Sequence, residues 1–268
     1  MSSRMEEEYY GQKEAVRLNK YLSEAGVCSR READRLIEKG KVTVDGQLAE
    51  KGMRVVPGKQ EIRVGKRVIS GRDKMTVLAV NKPDGIVCTE DKRERNSIVR
   101  FLDYPIRLTY VGRLDKESTG LLLMTNNGDI INRIMRAGNR HEKEYQVRVD
   151  KRITPQFLEK MAAGVPILDT VTRPCEIRQE GAYTFRIILT QGLNRQIRRM
   201  CETLGYQVLK LKRLRIMNIS LGDLREGEYR ELTEEELNEL SRLTENSYNE
   251  WSQRKQSGAG YEEQKYGK

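Results

Sequence analysis

Charged side chains recur so closely along this chain that they limit what it can fold into. Of its 268 residues, 34% are Asp, Glu, Lys or Arg, against about 25% in an average soluble domain. The longest stretch without one is residues 118–128, whereas a membrane-spanning helix needs roughly 20 consecutive apolar residues. Residues 1–15 contain four glutamates and no apolar run. We therefore expect no membrane association, no secretory signal and a cytoplasmic protein.

Few residues of the sequence are suited to metal chemistry. The four cysteines are scattered without Cys-x-x-Cys spacing, and His141 is the single histidine. We interpret the cysteines as reduced thiols of a cytosolic protein. A zinc cluster or a Ser–His pair would depend on one imidazole, so we expect no metal, and we interpret His141 as a structural or surface residue.

The net charge of +10 is unevenly distributed and suggests how the chain is divided. A length of 268 residues is typical of two domains. We expect a flexible segment at 1–15, a small domain at 16–72 that carries +7, a larger domain at 75–246, and a disordered tail at 247–268. The tail is rich in Gly, Ser, Gln and charge, a composition typical of disorder.

The small domain has the pattern of two helices followed by short strands. Apolar residues at helical spacing from Leu18 predict a first helix that Gly26 ends. Ser29 and Glu32 form a capping box that opens a second helix, which ends at Gly40. Strand patterns follow these helices.

The larger domain shows many strand patterns and few helices in mixed order. The predicted strands are 41–44 and 61–69 in the small domain, then 76–80, 108–111, 121–125, 145–149, 185–189 and 208–216 in the larger one. Helices are predicted at 129–136, 154–164 and 195–204 and after a capping box of Thr233 and Glu236. This order predicts an α+β fold, in which a small helix-helix-strand domain precedes a domain with a mixed, largely antiparallel sheet.

Basic side chains cluster on the two predicted helices of the small domain. They are Arg17, Lys20, Arg30, Arg31, Arg35, Lys39 and Lys41. Such a run is often only a solvated helix face. Here acids barely interrupt it, which favours contact with nucleic-acid phosphates; such contacts position a protein but carry no sequence information.

Asp115 is the first candidate for chemistry. It lies in a short charged segment between two predicted strands, where a loop at a sheet end commonly carries functional groups. On spacing alone, an ordinary turn residue is the favoured interpretation. No second carboxylate pairs obviously with it, which argues against a glycosidase.

Two further segments offer partners for such a carboxylate. Residues 191–199 lead from a glycine turn into a helix rich in arginine, which could face phosphates or could turn one arginine inward to hold a carboxylate in its charged form. Tyr145 alternates with Val147 and Val149 along a strand, so it is either a core aromatic or a group that stacks on a base or exchanges a proton.

Three segments, in this order, resemble a known family. Gly112-Arg113-Leu114-Asp115 with residues 120–123 resembles the aspartate motif of the pseudouridine synthases that modify ribosomal RNA in bacteria. Lys143-Glu144-Tyr145 resembles their tyrosine motif, and residues 192–198 resemble their arginine motif. Residues 17–45 are similar to the RNA-binding module named after the fourth small-subunit ribosomal protein. The resemblance runs from about residue 16 to about residue 243 and is strongest to members that act on the large subunit.

The resemblance implies a role for each matching residue. Asp115 would act at the ribose as nucleophile or as stabiliser of positive charge, and Tyr145 would pack on the flipped base and could move a proton. Arg198 would pair with Asp115, and Arg113 would fill the space that the base vacates. The reaction breaks uridine's bond between ring nitrogen and sugar and rejoins the base through carbon, so no cofactor is expected. The predicted phosphate contacts are Arg17, Lys20, Arg30, Arg31, Arg35, Lys41, Arg113, Arg195 and Arg199.

Other functions stay open on the sequence alone. The chain could be a non-catalytic RNA-binding assembly factor, a reading that needs only the basic small domain, or it could carry out the same chemistry on small-subunit rRNA. DNA binding is less favoured, because no helix-turn-helix with a dimer element is evident. We expect a monomer whose partner is ribosomal RNA of the large subunit.

Overall fold

The computed structural model describes residues 15–69, 75–91, 93–135 and 141–256, with side chains as far as residue 245. The chain forms two compact units: the first contains the residues up to Thr76 with 103–109 and 126–128, and the second contains the remainder. Almost all of the segment predicted to be flexible, 1–15, lies outside the described residues. Within the described ranges, no helix is long and apolar enough to cross a membrane.

The first unit contains two short helices and six short strands. Its elements are β1 (Val16–Arg17), α1 (Leu18–Glu24), α2 (Arg30–Glu38), β2 (Val42–Val44), β3 (Gln47–Leu48), β4 (Arg54–Val55), β5 (Ile62–Val64) and β6 (Arg67–Val68). Strands β3, β2, β5 and β6 form an antiparallel sheet in that order, and β1 pairs with β4. The single strand predicted at 61–69 is wrong. Gly65, with φ of 58°, turns the chain back, so that Arg63 pairs with Val68.

The helices of the first unit begin and pack as the sequence predicted. The Ser29 Oγ accepts a hydrogen bond from the Glu32 amide at 3.2 Å, which caps α2. Ala33 and Ile37 on the inner face of α2 are buried in a core with Leu18 and Leu22 of α1. The basic residues are consequently left on the outer faces of both helices.

The second unit is built on one large sheet. Its elements are β7 (Val77–Lys82), α3 (Ile98–Leu102), β8 (Thr109–Val111), β9 (Thr119–Thr125), α4 (Gly128–Met135), β10 (Lys143–Val149), α5 (Pro155–Ala163), β11 (Pro166–Ile167), β12 (Thr170–Val171), β13 (Glu176–Gly181), β14 (Thr184–Leu189), α6 (Gln196–Thr203), β15 (Val208–Ile216), β16 (Ile219–Ser220), β17 (Tyr229–Glu231) and α7 (Glu234–Gln256). Two of these elements, β8 and α4, begin with residues assigned to the first unit.

The sheet order confirms the predicted fold class. The strands follow one another as β13-β14-β10-β15-β9-β7-β17, while β8 pairs with β9 and β16 with β15. Along this path every described pairing is antiparallel except that of β15 with β9, which is parallel. A mixed, largely antiparallel sheet with helices is therefore the architecture of the second unit.

Helices α5 and α6 pack with strands β10 and β14 around the main described core. Thr154 caps α5 by accepting from the Phe157 amide at 3.1 Å, with Pro155 at the first helical position. Thr233 and Glu236 form both halves of the predicted capping box at α7. Helix α7 continues to Gln256, so the prediction of a disordered tail from residue 247 is wrong for residues 247–256. Residues 257–268 lie outside the described residues.

Candidate active site

Asp115 lies in the loop that joins β8 to β9, as predicted. The Ser118 amide donates to the Asp115 carbonyl at 3.1 Å, which closes a tight turn. The neighbouring Leu114 is buried and anchors the loop in the core. The Asp115 side chain retains 31% of its exposure, so a firmly held backbone presents the carboxylate to solvent.

Lys82 at the end of β7 ties this loop to the sheet. Its side chain is fully buried, and its Nζ donates to the carbonyls of Pro83 at 2.8 Å, Lys116 at 3.2 Å and Ser118 at 2.7 Å. Burial lowers the pKa of Lys82. Because all three donors of the ammonium are used, Lys82 fixes the carbonyls of Lys116 and Ser118, which both follow Asp115 in the loop.

Gly120 permits the closest approach of two strands in the site. Gly120 pairs with Arg213 where β9 runs parallel to β15. A Cβ at position 120 would overlap the Arg213 carbonyl oxygen and lie 2.7 Å from the Arg213 amide nitrogen, and the φ of 97° also favours glycine. The Gly in the aspartate motif therefore allows β15 to lie beside the start of β9.

The arginine-rich helix α6 brings two guanidinium groups to Asp115. Arg198 is 7% exposed, and its Nε lies 3.6 Å from the Asp115 Oδ2. Its Nη2 donates to the Glu117 carbonyl at 3.3 Å and to the Ser118 Oγ at 3.2 Å. The structure thus identifies the inward-facing arginine of α6, which spacing alone could not choose.

Arg195 is the second guanidinium and is more exposed. Its Nη1 lies 3.6 Å from the Asp115 Oδ2 and 2.7 Å from the Glu117 Oε1. The hydrogen bond from Arg195 lowers the pKa of Glu117. Arg199 turns away, because it donates to the carbonyl and the side chain of Asn194 at 3.1 and 3.3 Å.

A cleft of about 510 Å³ in the second unit contains these groups, a volume typical of small-ligand sites. Of the predicted site residues, its lining includes Arg113, Asp115, Tyr145, Arg195 and Arg198. Tyr145 is half-buried on β10, packs against the main core and pairs with Arg213 of β15. It is therefore both a core-packing aromatic and a cleft residue.

Besides the exposed Lys116, two less exposed cations of the cleft were not predicted as site residues. Lys143 lies two residues before Tyr145 on β10, and Arg213 lies on β15. Burial together with the charge of Arg213 lowers the pKa of Lys143 to about 8. Period-two alternation from Tyr145 could have identified Lys143, whereas Arg213 has no local sequence signal.

The predicted phosphate-binding residues of the first unit lie outside the lining of this cleft. Arg17, Arg30, Arg31, Arg35 and Lys41 are exposed. Lys20 is half-buried and lies 3.6 Å from Glu24, and Arg35 lies 3.3 Å from Glu32. Among the residues described, no group of three or more His, Cys, Asp or Glu side chains could hold a metal ion.

Comparison with known proteins gives the class of this chain. Residues 76–203 match the family model described as RNA pseudouridylate synthase, and residues 16–60 match the S4 domain. The chain belongs to the RNA pseudouridine synthase family, as predicted, and is an isomerase that converts uridine to pseudouridine in RNA.

Individual relatives cover most of the chain. It is 53% identical over 238 residues to the dual-specificity RNA pseudouridine synthase RluF of Escherichia coli (strain K12), over 88% of this chain and 82% of that protein. It is 33% identical over 243 residues to the ribosomal large subunit pseudouridine synthase B of Bacillus subtilis (strain 168), over 87% of this chain and 98% of that protein. A crystal structure of a pseudouridylate synthase matches with a TM-score of 0.61 at 29% identity, over 85% of this chain and 99% of the other.

Proposed function

We propose that this enzyme acts on a uridine of large-subunit ribosomal RNA, with Asp115 as the carboxylate that acts at the ribose. The observation that carries the proposal is the position of the Asp115 Oδ2, 3.6 Å from the buried guanidinium of Arg198, in a cleft that Tyr145 also lines. The choice of RNA follows relatives of this chain, one of which is named as a synthase for the large ribosomal subunit. Such a substrate fits an enzyme of the bacterial cytoplasm.

The charges around Asp115 suit a group that must stay anionic while positive charge develops on the sugar. Arg198 is oriented by the Glu117 carbonyl and the Ser118 hydroxyl. Its guanidinium can therefore stabilise the charge of the carboxylate while the carboxylate acts at the ribose. Arg195 is divided between Asp115 and Glu117. The two guanidinium groups therefore place positive charge beside the Asp115 Oδ2.

The isomerisation conserves the atoms of the uridine. The bond between N1 and C1′ breaks and its electron pair stays on the base, while Asp115 either bonds to C1′ or stabilises its positive charge. After the base turns, its C5 bonds to C1′, and any bond between Asp115 and C1′ breaks with its electron pair returning to the carboxylate. The hydrogen on C5 then leaves as a proton, and N1 gains a proton. Tyr145 would pack on the base and could transfer the sugar proton if the sugar passes through a glycal. No step needs an oxidant or a phosphoryl donor.

Phosphate contacts would offset the cost of flipping the base, which is a few kcal/mol. We assign these contacts to the exposed arginines and lysines of the S4 domain and to Arg113, Arg195 and Arg199 at or near the cleft. Arg113 is exposed at the cleft, where it could occupy the gap left in the RNA stack. We propose a monomer without a metal or organic cofactor.

Asp115→Asn tests the catalytic assignment. It should lower the rate of pseudouridine formation by about 10⁴-fold or more, as expected for loss of an essential catalytic group, while RNA affinity stays within about twofold because no phosphate contact is lost. Asp223→Asn is the matched control, because Asp223 is exposed and does not line the cleft.

The measurement is carbodiimide mapping of pseudouridine by reverse transcription on separately purified unmodified large-subunit rRNA, small-subunit rRNA and bulk tRNA. Product in the large-subunit RNA is expected. Product confined to small-subunit rRNA would overturn the choice of substrate, and an Asp115→Asn enzyme that keeps its activity would overturn the role of the carboxylate. The tRNA sample tests for a second substrate, since the Escherichia coli relative is named as having dual specificity.

A further inference from the structure

Lys143 and Arg213 are two cations of the cleft that are not exposed and do not face a carboxylate. Arg195 and Arg198 both lie within 3.6 Å of Asp115. Within the described part of the chain, neither Lys143 nor Arg213 forms an ion pair, although both line the same cleft. Apart from the solvent-exposed Arg113 and Lys116, the cleft therefore contains two cations paired with a carboxylate and two that are not.

Arg213 keeps part of its guanidinium without a partner. The residue is 3% exposed, and its Nε donates to the Leu121 carbonyl at 2.7 Å. Its Nη2 is buried and has no hydrogen-bond partner among the described residues. A buried donor of a charged group that lacks a partner is costly, so its presence in a substrate cleft points to a ligand that accepts from it.

Lys143 is the second cation and has a similarly incomplete environment. The hydrogen bond described for its Nζ goes to the His141 carbonyl at 3.3 Å. Burial and the nearby charge of Arg213 both disfavour its protonated form. A negative charge placed between the two side chains would relieve the repulsion between them and supply the missing acceptors.

The two strands place this pair beside the residue that we assign to the base. Lys143 and Tyr145 are two residues apart on β10, and both line the cleft. Arg213 lies opposite Tyr145 on β15. Asp115, the group assigned to the ribose, is bracketed by the arginines of α6 instead. Of the cations that are not fully solvent-exposed, Lys143 and Arg213 thus accompany the base-packing tyrosine, and the paired arginines accompany the sugar carboxylate.

We infer that Lys143 and Arg213 form an anion-binding site for the detached uracil and stabilise the negative charge on its carbonyl oxygens. The inference rests on the proposed function. When the bond between N1 and C1′ breaks, the electron pair that stays on the base spreads onto its ring nitrogens and onto O2 and O4. Donors that are already in place where charge develops act in the same way as an oxyanion hole. The charge disappears again when C5 bonds to C1′ and N1 gains a proton.

Lys143→Gln is the main test, with Lys143→Arg as the variant that keeps the charge. At saturating enzyme, the single-turnover rate on rRNA should fall by about 10²–10³-fold in Lys143→Gln, the typical effect of removing one such donor. RNA affinity should change by less than about threefold, and Lys143→Arg should recover most of the rate. Lys160→Gln is the control, because Lys160 is exposed on α5 and outside the cleft.

Changing the acidity of the leaving base gives a second measurement. It does not depend on what fraction of the variant enzyme is folded, because the same two enzymes are compared on both RNAs. The target uridine is replaced by 5-fluorouridine, whose detached base holds negative charge more easily, and its consumption is followed by nuclease digestion and mass spectrometry. The ratio of wild-type to Lys143→Gln rates should be clearly smaller on this RNA than on the uridine RNA.

Two results would overturn the inference. One is an equal rate ratio on both RNAs. The other is a weaker RNA affinity of Lys143→Gln, together with a slope of log affinity against log salt concentration that is smaller in magnitude by about 1. That result would mean that Lys143 contacts a phosphate. These failures differ from failure of the proposed function, in which wild-type enzyme forms no pseudouridine in large-subunit rRNA.

Discussion

Lys143 gives the single-turnover rate an expected dependence on pH. Its pKa is lowered to about 8, first by burial and then by the charge of Arg213. The nearby His141 has its pKa lowered by burial, so it adds no positive charge near neutral pH. A site that needs protonated Lys143 is fully formed below pH 8 and is lost as pH rises above it.

The wild-type rate should therefore fall above pH 8, and Lys143→Arg should reduce that fall, because an arginine stays charged up to about pH 12. The measurement is the single-turnover rate at saturating enzyme between about pH 6.5 and 9.5. A parallel decline in both enzymes would contradict the role of Lys143, because it would assign the titration to the RNA or to another group.

At the level of single residues, the sequence predicted the groups whose roles are tied to short motifs. Asp115, Tyr145 and Arg198 fall within three such segments, and the structure brings them to one cleft. Lys82 and Arg213 were missed because their roles depend on distant carbonyls, those of Ser118 and Leu121. Side-chain contacts across the sheet have no signature in local spacing.

Gly120 determines whether β9 and β15 can pair. Gly120→Ala should lower the free energy of unfolding by roughly 2–4 kcal/mol, because it adds strain at a positive φ and a clash with the backbone of Arg213. The Asp115 loop ends next to the site of that clash, so activity should fall more steeply than stability. Thermal unfolding and the single-turnover rate, measured well below the melting temperature, check both effects.

Gly181→Ala is the matched control within the same sheet. A Cβ at Gly181 would lie 4.0 Å from the Thr184 Cβ, which is ordinary contact. This variant should change stability by less than about 0.5 kcal/mol, the usual range for surface substitutions. Equal effects at both positions would show that the loss comes from replacing any glycine of the sheet by alanine, and not from the close approach of β9 to β15.

Elements with local start and stop signals were predicted well, and those without them were not. Ser29, Thr154 and Thr233 cap helices as their spacing predicted. Strand β13 was missed because most of its residues are exposed and polar, so it lacks an apolar alternation. The extension of α7 beyond residue 246 was missed because a polar, charged composition is shared by solvated helices and disordered tails.

For the whole molecule, the positive charge of the chain should appear in the salt dependence of RNA binding. If about six basic side chains meet phosphates, the logarithm of affinity should fall with the logarithm of salt concentration at a slope near −4 to −5. Arg31→Gln should reduce the magnitude of that slope by roughly 0.7–0.9 and leave the saturated rate unchanged. Filter binding over a range of salt concentrations gives both slopes, with Asp223→Asn as the control. A flat response would contradict the electrostatic role of the S4 domain.

The order of strands could not be derived from the sequence, although the fold class could. Many strands and few helices in mixed order favoured a largely antiparallel sheet. The insertion of β15 between β10 and β9 is a pairing between distant segments, and no local pattern encodes it. The parallel contact of β15 with β9 is the arrangement that adds Arg213 to the cleft.

The pairing of β15 with β9 also bears on when the enzyme becomes active during its own synthesis. The Arg213 side chain holds the Leu121 carbonyl across 92 positions of the chain, and the guanidinium groups beside Asp115 come from α6, which is likewise made late. A nascent polypeptide that has emerged only as far as β9 possesses the acid but none of these cations. If Asp115 and these cations act as proposed, the enzyme becomes competent only after its second half leaves the exit tunnel, and a partly synthesised copy would leave the RNA of the particle that is making it unmodified.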